Sequence, residues 1–285
     1  MTSLKMDNLN GQESALPTVT ALVLAGSRAG KDAVAESAKV PIKVLAPVGG
    51  IPMVARVLET LEASTFVGPR VLCGPGWEVL QEQSYLHDLV EKKNIRWVAP
   101  QQGPSLSVKS FLEQAPKDLP LLVTTADHAL LTVEMVNFFL KEVGRAQADV
   151  SVALVPHSVV AQAYPQSKRT VIGFQGGGYC GCNMFLLRTP QAVRLVEFWS
   201  QVERERKRPI RLIRRLGWLM LIRYMLGGLS LSDALCELGQ RMEISIKEII
   251  LPFPEAAIDV DTPEDLVLVE KIVEQRERHK GKENS

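Results

Sequence analysis

The chain has 285 residues, 46% of them hydrophobic, and 33 Lys and Arg balance 32 Asp and Glu to a formal net charge of +1. That size suits one large α/β domain or one domain with a sizeable insertion, and the balanced charge excludes a global field for nucleic acid. Four cysteines without a C-x-x-C and four scattered histidines exclude a zinc-binding spacing.

The stretch before Pro17 is polar and has no apolar h-region, so no signal peptide is read. No uncharged apolar run reaches about 18 residues, so no spanning helix is read, and reduced thiols in the cytoplasm are expected. Residues 1–16 are expected to be a disordered lead. Val19 to Ala25 has the length and β-branched content of a buried parallel strand. It stops at Gly26, and a loop of small residues follows for about 25 residues, long for an ordinary βα connection. Arg28 and Lys43 bring two cations to that loop, and its amides suit an anion. A Walker loop needs G-x-x-x-x-G-K-[ST]; here Gly26-Ser-Arg-Ala-Gly30-Lys31-Asp32 is one residue short and ends in an acid.

Helical spacing of Met53, Val54, Val57, Leu58 and Leu61 predicts a helix after Pro52. A short strand at Arg70–Cys73, a helix at Trp77–Lys92 and a strand at Ile95–Val98 continue a βαβ alternation, which argues for a parallel sheet. Pro100-Gln-Gln-Gly103-Pro opens another helix, with Ser105 or Ser107 as a plain cap or with Gln101, Gln102 and Ser107 reading a base. Leu119 to Thr125 is a second apolar strand. It ends at Asp127-His128, where open α/β sheets bind ligands. A helix over Thr132–Val143 and a strand over Asp149–Pro156 follow.

Tyr164–Arg169 reads as loop. Gln175-Gly-Gly-Gly-Tyr-Cys-Gly181 contains G-x-G-x-x-G, but the strand Asn183–Leu187 follows it, so the dinucleotide reading fails on context. Pro190–Glu205 is a helix. Glu203–Gly228 is a basic run joined to a nearly uncharged segment. The readings that stay open for it are a buried or dimer-forming helix, or a peripheral contact with a membrane surface or an amphiphilic substrate, and in either case it could move as a lid. A short helix at Ser232–Arg241 and a strand at Ile244–Leu251 precede Asp259-Val-Asp261-Thr-Pro-Glu-Asp265. There Thr262 caps a helix and Pro263 takes its first position, so Asp261 is held immediately before it. That helix is expected to end near Arg276, and 276–285 reads as a flexible tail.

Leu24-Ala-Gly-Ser-Arg28, then Lys43-Val-Leu-Ala-Pro-Val-Gly-Gly-Ile-Pro-Met53, resembles the GT-A-fold nucleotidyltransferases, the MobA-like NTP transferase superfamily. The opening motif there is roughly L-A-G-G-x-G-x-R, then K-x-L-x-x-[VI]-x-G-x-P-[ML]. The second half matches closely, whereas Gly26 is followed by Ser27-Arg28 rather than a second glycine. The resemblance covers roughly residues 18–188 and 245–275. It implies a Rossmann-like three-layer GT-A sandwich with a mostly parallel central sheet, one domain over 17–275 with a helical insertion at about 190–243.

The resemblance further implies a nucleotide site of Leu24, Ala25, Gly26, Ser27, Arg28 and Lys43, with Gln101, Gly103 and Ser107 at the base and ribose. Arg28 and Lys43 carry the catalytic role. Asp127 and Asp261 are the implied Mg²⁺ ligands, with Asp259 in reserve, and Asn183 resembles a polar residue on the acceptor side; His128, read from its place beside Asp127, either faces the acceptor or is a turn histidine without chemistry. The implied activity moves an NMP from an NTP to a phosphorylated sugar, polyol or cofactor precursor and releases pyrophosphate. A GT-A glycosyltransferase using an NDP-sugar and a non-catalytic nucleotide-binding regulator remain alternatives.

Overall fold

The computed structural model describes residues 16–26, 32–205 and 218–283. At its centre is β1 (Val19–Leu24); the short β2 (Pro47–Val48) and β3 (Ile51–Pro52) pair antiparallel apart from the main sheet, in which β1 is flanked on one side by β4 (Val67–Cys73) and β5 (Arg96–Val98) and on the other by β6 (Leu121–Thr125), all parallel. Beyond β6 the long β9 (Gly177–Leu187) runs antiparallel to both β6 and β7 (Val150–Pro156), and β10 (Ile246–Ile250) pairs parallel with β7. The order β10-β7-β9-β6-β1-β4-β5 is therefore mostly parallel with one reversed strand. The chain leaves β1 toward β4 and later returns on its other side as β6. The crevice beyond the carboxyl ends of β1 and β6 is thus the topological switch point where such sheets bind ligands.

Strand alternation divides the core into two layers. Val19, Ala21 and Val23 face one cluster, together with Leu58 of α2 (Met53–Ala63) and Phe139 of α6 (Val133–Ala146). Leu22 faces the other, with Val108 and Phe111 of α5 (Pro104–Gln114) and Val196 of α8 (Val193–Glu205). The helix opening the expected insertion is therefore one of the layers of the sandwich. A third cluster joins Val34 of α1 (Ala33–Ala38) to Val269 and Ile272 of the last helix, α11 (Pro263–Glu283), and to Ile258 and Val260 before it.

Several expected boundaries shift. The small-residue loop after β1 holds the short helix α1, capped by Asp32, whose carboxylate accepts from the amides of Val34 at 3.0 Å and Ala35 at 3.1 Å. The single helix expected over Trp77–Lys92 breaks at Gln83 into α3 (Trp77–Glu82) and α4 (Ser84–Lys92). Leu80 and Leu86, six residues apart, would point different ways on one continuous helix, and the break brings both into the same cluster. A helix, α7 (His157–Ala163), precedes the expected loop at Tyr164. β9 begins six residues before Asn183, pairing with β8 (Ile172–Phe174) across a turn where Gly176 and Gly177 take positive φ.

α11 continues to Glu283, past the end expected near Arg276. The disordered lead falls outside the described residues, but for Leu16, which packs in the core. Of the basic and apolar run at Glu203–Gly228, residues 206–217 also lie outside them; its last part forms α9 (Trp218–Met225), and α10 (Leu231–Met242) follows. No described helix is long and apolar enough to cross a membrane.

Candidate active site

Two long-range backbone links bring the sequence-distant carboxylates together. The β6 strand ends where Ala126 donates its amide to the Leu24 carbonyl of β1, which leaves Asp127 just past the sheet edge. The returning chain then donates the Val260 amide to the Asp127 carbonyl at 3.2 Å, which sets Asp259 and Asp261 beside it. Between Asp127 and Asp261 stands Lys43, presented by a single 3-10 turn over Lys43–Leu45. Its Nζ lies 2.6 Å from Asp127 Oδ2 and 3.1 Å from Asp261 Oδ1. Burial by itself would lower the Lys43 ammonium, but Asp127 and Asp261 outweigh it and hold its pKa above the ordinary lysine value. Lys43 is thus a fixed cation in the crevice.

The two aspartates differ. Asp127 is 15% exposed in its side chain and its Oδ1 is buried with no hydrogen-bond partner among the described residues, whereas Asp261 is 66% exposed. Asp259 has a separate structural attachment. It accepts from Arg169 Nη1 at 2.6 Å and from Asn183 Nδ2 at 2.7 Å. Burial, then Asp127 and Asp261, push its carboxyl above the usual range, and Arg169 opposes them. Asn183 reaches Asp259 from a bulge in β9: two steps along β7, Val152 to Leu154, match four along β9, Phe185 to Gly181, and Asn183 itself sits at φ 48°.

Arg169 and Asp265 are the residues that sequence reasoning missed. Arg169 is 8% exposed; one guanidinium nitrogen bonds Asp259 and the other bonds Asp265 Oδ1. The second Asp265 oxygen accepts from the Asp261 amide at 3.2 Å and the Thr262 amide at 2.9 Å, while Thr262 Oγ1 accepts from the Asp265 amide at 3.2 Å. This reciprocal cap on α11 fixes the backbone that carries Asp261. The Thr262 cap was read from the sequence, but nothing local marked the arginine, 90 residues from Asp259, that joins Asp265 to it.

Other expected residues divide. Leu24, Ala25 and Gly26 end β1 at the crevice, and a Cβ on Gly26 would lie 3.5 Å from Pro100, so this turn adjoins the Gln101–Gly103 loop. Gly74 lets that approach happen: at φ +90° it faces the Gly26 amide and the Ala25 carbonyl, both about 3 Å from where its Cβ would stand. Gln101 is exposed at the crevice, but Ser107 is buried and its hydroxyl accepts the Gln101 amide at 2.9 Å, so it shapes the loop. Gly103, rather than a serine, caps α5. Ser27 and Arg28 lie outside the described residues.

His128 does not face an acceptor: the residue is 1% exposed, and burial lowers its pKa to about 4 against the opposing pull of Asp127 and the Ala256 backbone. Among the described residues no group of three or more His, Cys, Asp or Glu is arranged to hold a metal ion, and the candidate donor set is the pair Asp127 and Asp261. That pair suits Mg²⁺, which takes hard oxygen ligands and is commonly held by one or two carboxylates plus substrate phosphates. The unpartnered buried Asp127 Oδ1 is consistent with it.

The profile described as the MobA-like NTP transferase domain matches residues 21–170. A solved structure described as a hypothetical transferase from Thermus thermophilus is 31% identical, with a TM-score of 0.69 over 87% of this chain and 99% of that one. The 4-diphosphocytidyl-2C-methyl-D-erythritol synthase of Anaerococcus prevotii is 12% identical, with a TM-score of 0.54 over 92% of this chain and 98% of its own. A CMP:2-keto-3-deoxy-manno-octonic acid synthetase in complex with CTP is 14% identical, with a TM-score of 0.53 over 90% of this chain and 99% of its own. At those identities the last two bear on the fold, a mixed α/β sandwich with a mostly parallel sheet. No curated protein matches the chain.

Proposed function

The chain belongs to the MobA-like NTP transferase family, and we propose that it moves a nucleotidyl group from an NTP to a phosphorylated small-molecule acceptor. The observation that carries this reading is the Lys43 ammonium held between Asp127 and Asp261 at the switch point of the sheet. Two carboxylates and a fixed cation, beside a strand-end turn, meet the demands of a reaction that needs charge neutralisation and alignment rather than a protein nucleophile.

In the proposed step an acceptor phosphate oxygen attacks the α-phosphorus in line. The new O–P bond forms as the bond from the α-phosphorus to the bridging oxygen breaks, and pyrophosphate leaves with that electron pair. The acceptor phosphate is already ionised, so no general base is required. The Gly26 turn takes the triphosphate, and the adjoining Gln101–Gly103 loop takes the nucleoside side. Asp127 and Asp261 would hold Mg²⁺, which when bound neutralises charge on the phosphates. Lys43, held charged, contributes positive potential at the leaving phosphates, as would Arg28. Arg169 acts at one remove by holding Asp265, and through it the Asp261 backbone.

The test is NTP binding titrated with and without Mg²⁺, followed by a pyrophosphate-release screen of the four NTPs against phosphorylated sugars, polyols and cofactor precursors. Asp127→Asn and Asp261→Asn are expected to abolish the Mg²⁺-dependent part of NTP binding while the fold is kept. Binding that stays Mg²⁺-dependent in both variants defeats the site assignment. Release of NDP from an NDP-sugar, with no pyrophosphate from any acceptor, would move the protein to the glycosyltransferases.

A further inference from the structure

One face of β9 runs from the carboxylates to an exposed apolar end. Alternate residues of a strand share a face, and Phe185 and Leu187 belong to the cluster under α5 and α8, with Phe185 against Trp199 at 6.1 Å between ring centroids. Asn183, Gly181 and Tyr179 continue this face past the last β6 residue paired with β9, while Cys180, Cys182 and Met184 point into the opposite core. Polar character fades along it. Asn183 bonds Asp259; Gly181 is exposed, with no described residue within 4 Å of where a side chain would stand; Tyr179 is directly opposite Ile172 of β8, which is 50% exposed. Phe174, on the same face as Ile172, lies 6.3 Å from the Tyr179 ring and 6.1 Å from the Tyr224 ring of α9.

We propose that this face seats the acceptor, and that the acceptor is a phosphorylated amphiphile: its phosphate at the carboxylate end and an apolar or ring-bearing portion on Tyr179, Ile172, Phe174 and Tyr224. The inference rests on the nucleotidyltransferase reading and names its substrate class. The occupant follows from continuity. The apolar end is not a separate surface patch but the outer part of the strand face that begins at Asn183 beside Asp259. Tyr179 pairs with Pro156 and Gly181 with Leu154, and the bulge sets Asn183 about one β7 step further on; three steps of about 3.3 Å place the two ends of the acceptor on the order of 10 Å apart. Gly181 occupies the middle of that span, and its missing side chain leaves the slot through which such a molecule would pass.

The probes are hexyl phosphate, phenyl phosphate and methyl phosphate, which share a head group and differ in the apolar part. Their binding to the full chain is measured by calorimetry, with and without Mg²⁺ and the nucleotide that binds best in the NTP screen. Hexyl and phenyl phosphate are expected to bind about tenfold tighter than methyl phosphate or better, because only they bury apolar surface. Gly181→Leu, at an open position without positive φ, is expected to erase that advantage and leave NTP binding unchanged; Tyr179→Ser is expected to reduce it. Equal affinities for the three phosphates, or an advantage that survives Gly181→Leu, would overturn the proposal. So would a dimer in sedimentation, or binding to anionic vesicles, that Gly181→Leu abolishes, since the face would then belong to a second copy or a lipid surface. NTP binding separates the two readings. Its absence with the hexyl phosphate preference intact defeats the nucleotidyltransferase reading, and its presence without that preference defeats this one.

Discussion

Arg169→Gln removes the guanidinium that, among the described residues, ties the Asp259 and Asp265 carboxylates together. Its side chain is 8% exposed, and those of its partners are 24% and 10% exposed. Taking one partner from a buried ion pair costs about 3–5 kcal/mol, because the remaining charge stays buried. Here each carboxylate keeps other donors. Asp265 retains the Asp261 and Thr262 amides, and Asp259 retains the Asn183 amide. The low end, about 3 kcal/mol, therefore applies, and it corresponds to a Tm fall of roughly 6–12 °C at neutral pH. Arg169→Lys keeps the charge but loses the planar fork that reaches both partners from two nitrogens, and a fall about half as large is expected.

Scanning calorimetry reads the stability, and Mg²⁺-dependent NTP binding reads the site. Because Asp265 holds the Asp261 amide, Arg169→Gln is expected to weaken the Mg²⁺-dependent part of binding, with partial recovery in Arg169→Lys. A glutamine variant that melts within about 2 °C of the parent and binds NTP with unchanged Mg²⁺ dependence would refute both the clamp and the coupling.

His128 has a pKa lowered from 6.5 to about 4, so the folded state excludes a proton that the unfolded chain accepts. Its contribution is present above pH 6.5 and is lost as pH falls through about 4, a loss of about 3 kcal/mol in total; denaturation titrations of the parent and His128→Leu are expected to diverge over that window, the variant being flatter. Gly74→Ala places a Cβ 3.0 Å from the Gly26 amide nitrogen at φ +90°. It is expected to cost about 1–3 kcal/mol in urea denaturation and to weaken NTP binding by displacing the Gly26 turn, and unchanged NTP affinity would refute that coupling. Thr262→Ala removes a helix cap from the segment that carries Asp261 and is expected to cost about 1 kcal/mol by the same denaturation assay.

The parts of this protein that a linear sequence encodes locally were legible in it. The largely apolar, β-branched Val19–Leu24 and Leu121–Thr125 announce buried strands because no charged side chain interrupts them. Thr132 and Thr262 announce helix starts because a cap needs only the amides two or three residues ahead. Lys43, Asp127 and Asp261 were nameable through motif resemblance, and the fold does bring them together. Tertiary structure decided what depends on partners far away in the chain. α3 and α4 separate because two leucines must enter one core, and His128 turns inward although it neighbours a crevice residue. Arg169 reads as loop filler until Asp259 arrives from 90 residues away. Burial makes that partnership strong, and burial is a property of the folded packing that the spacing of residues along the chain does not encode.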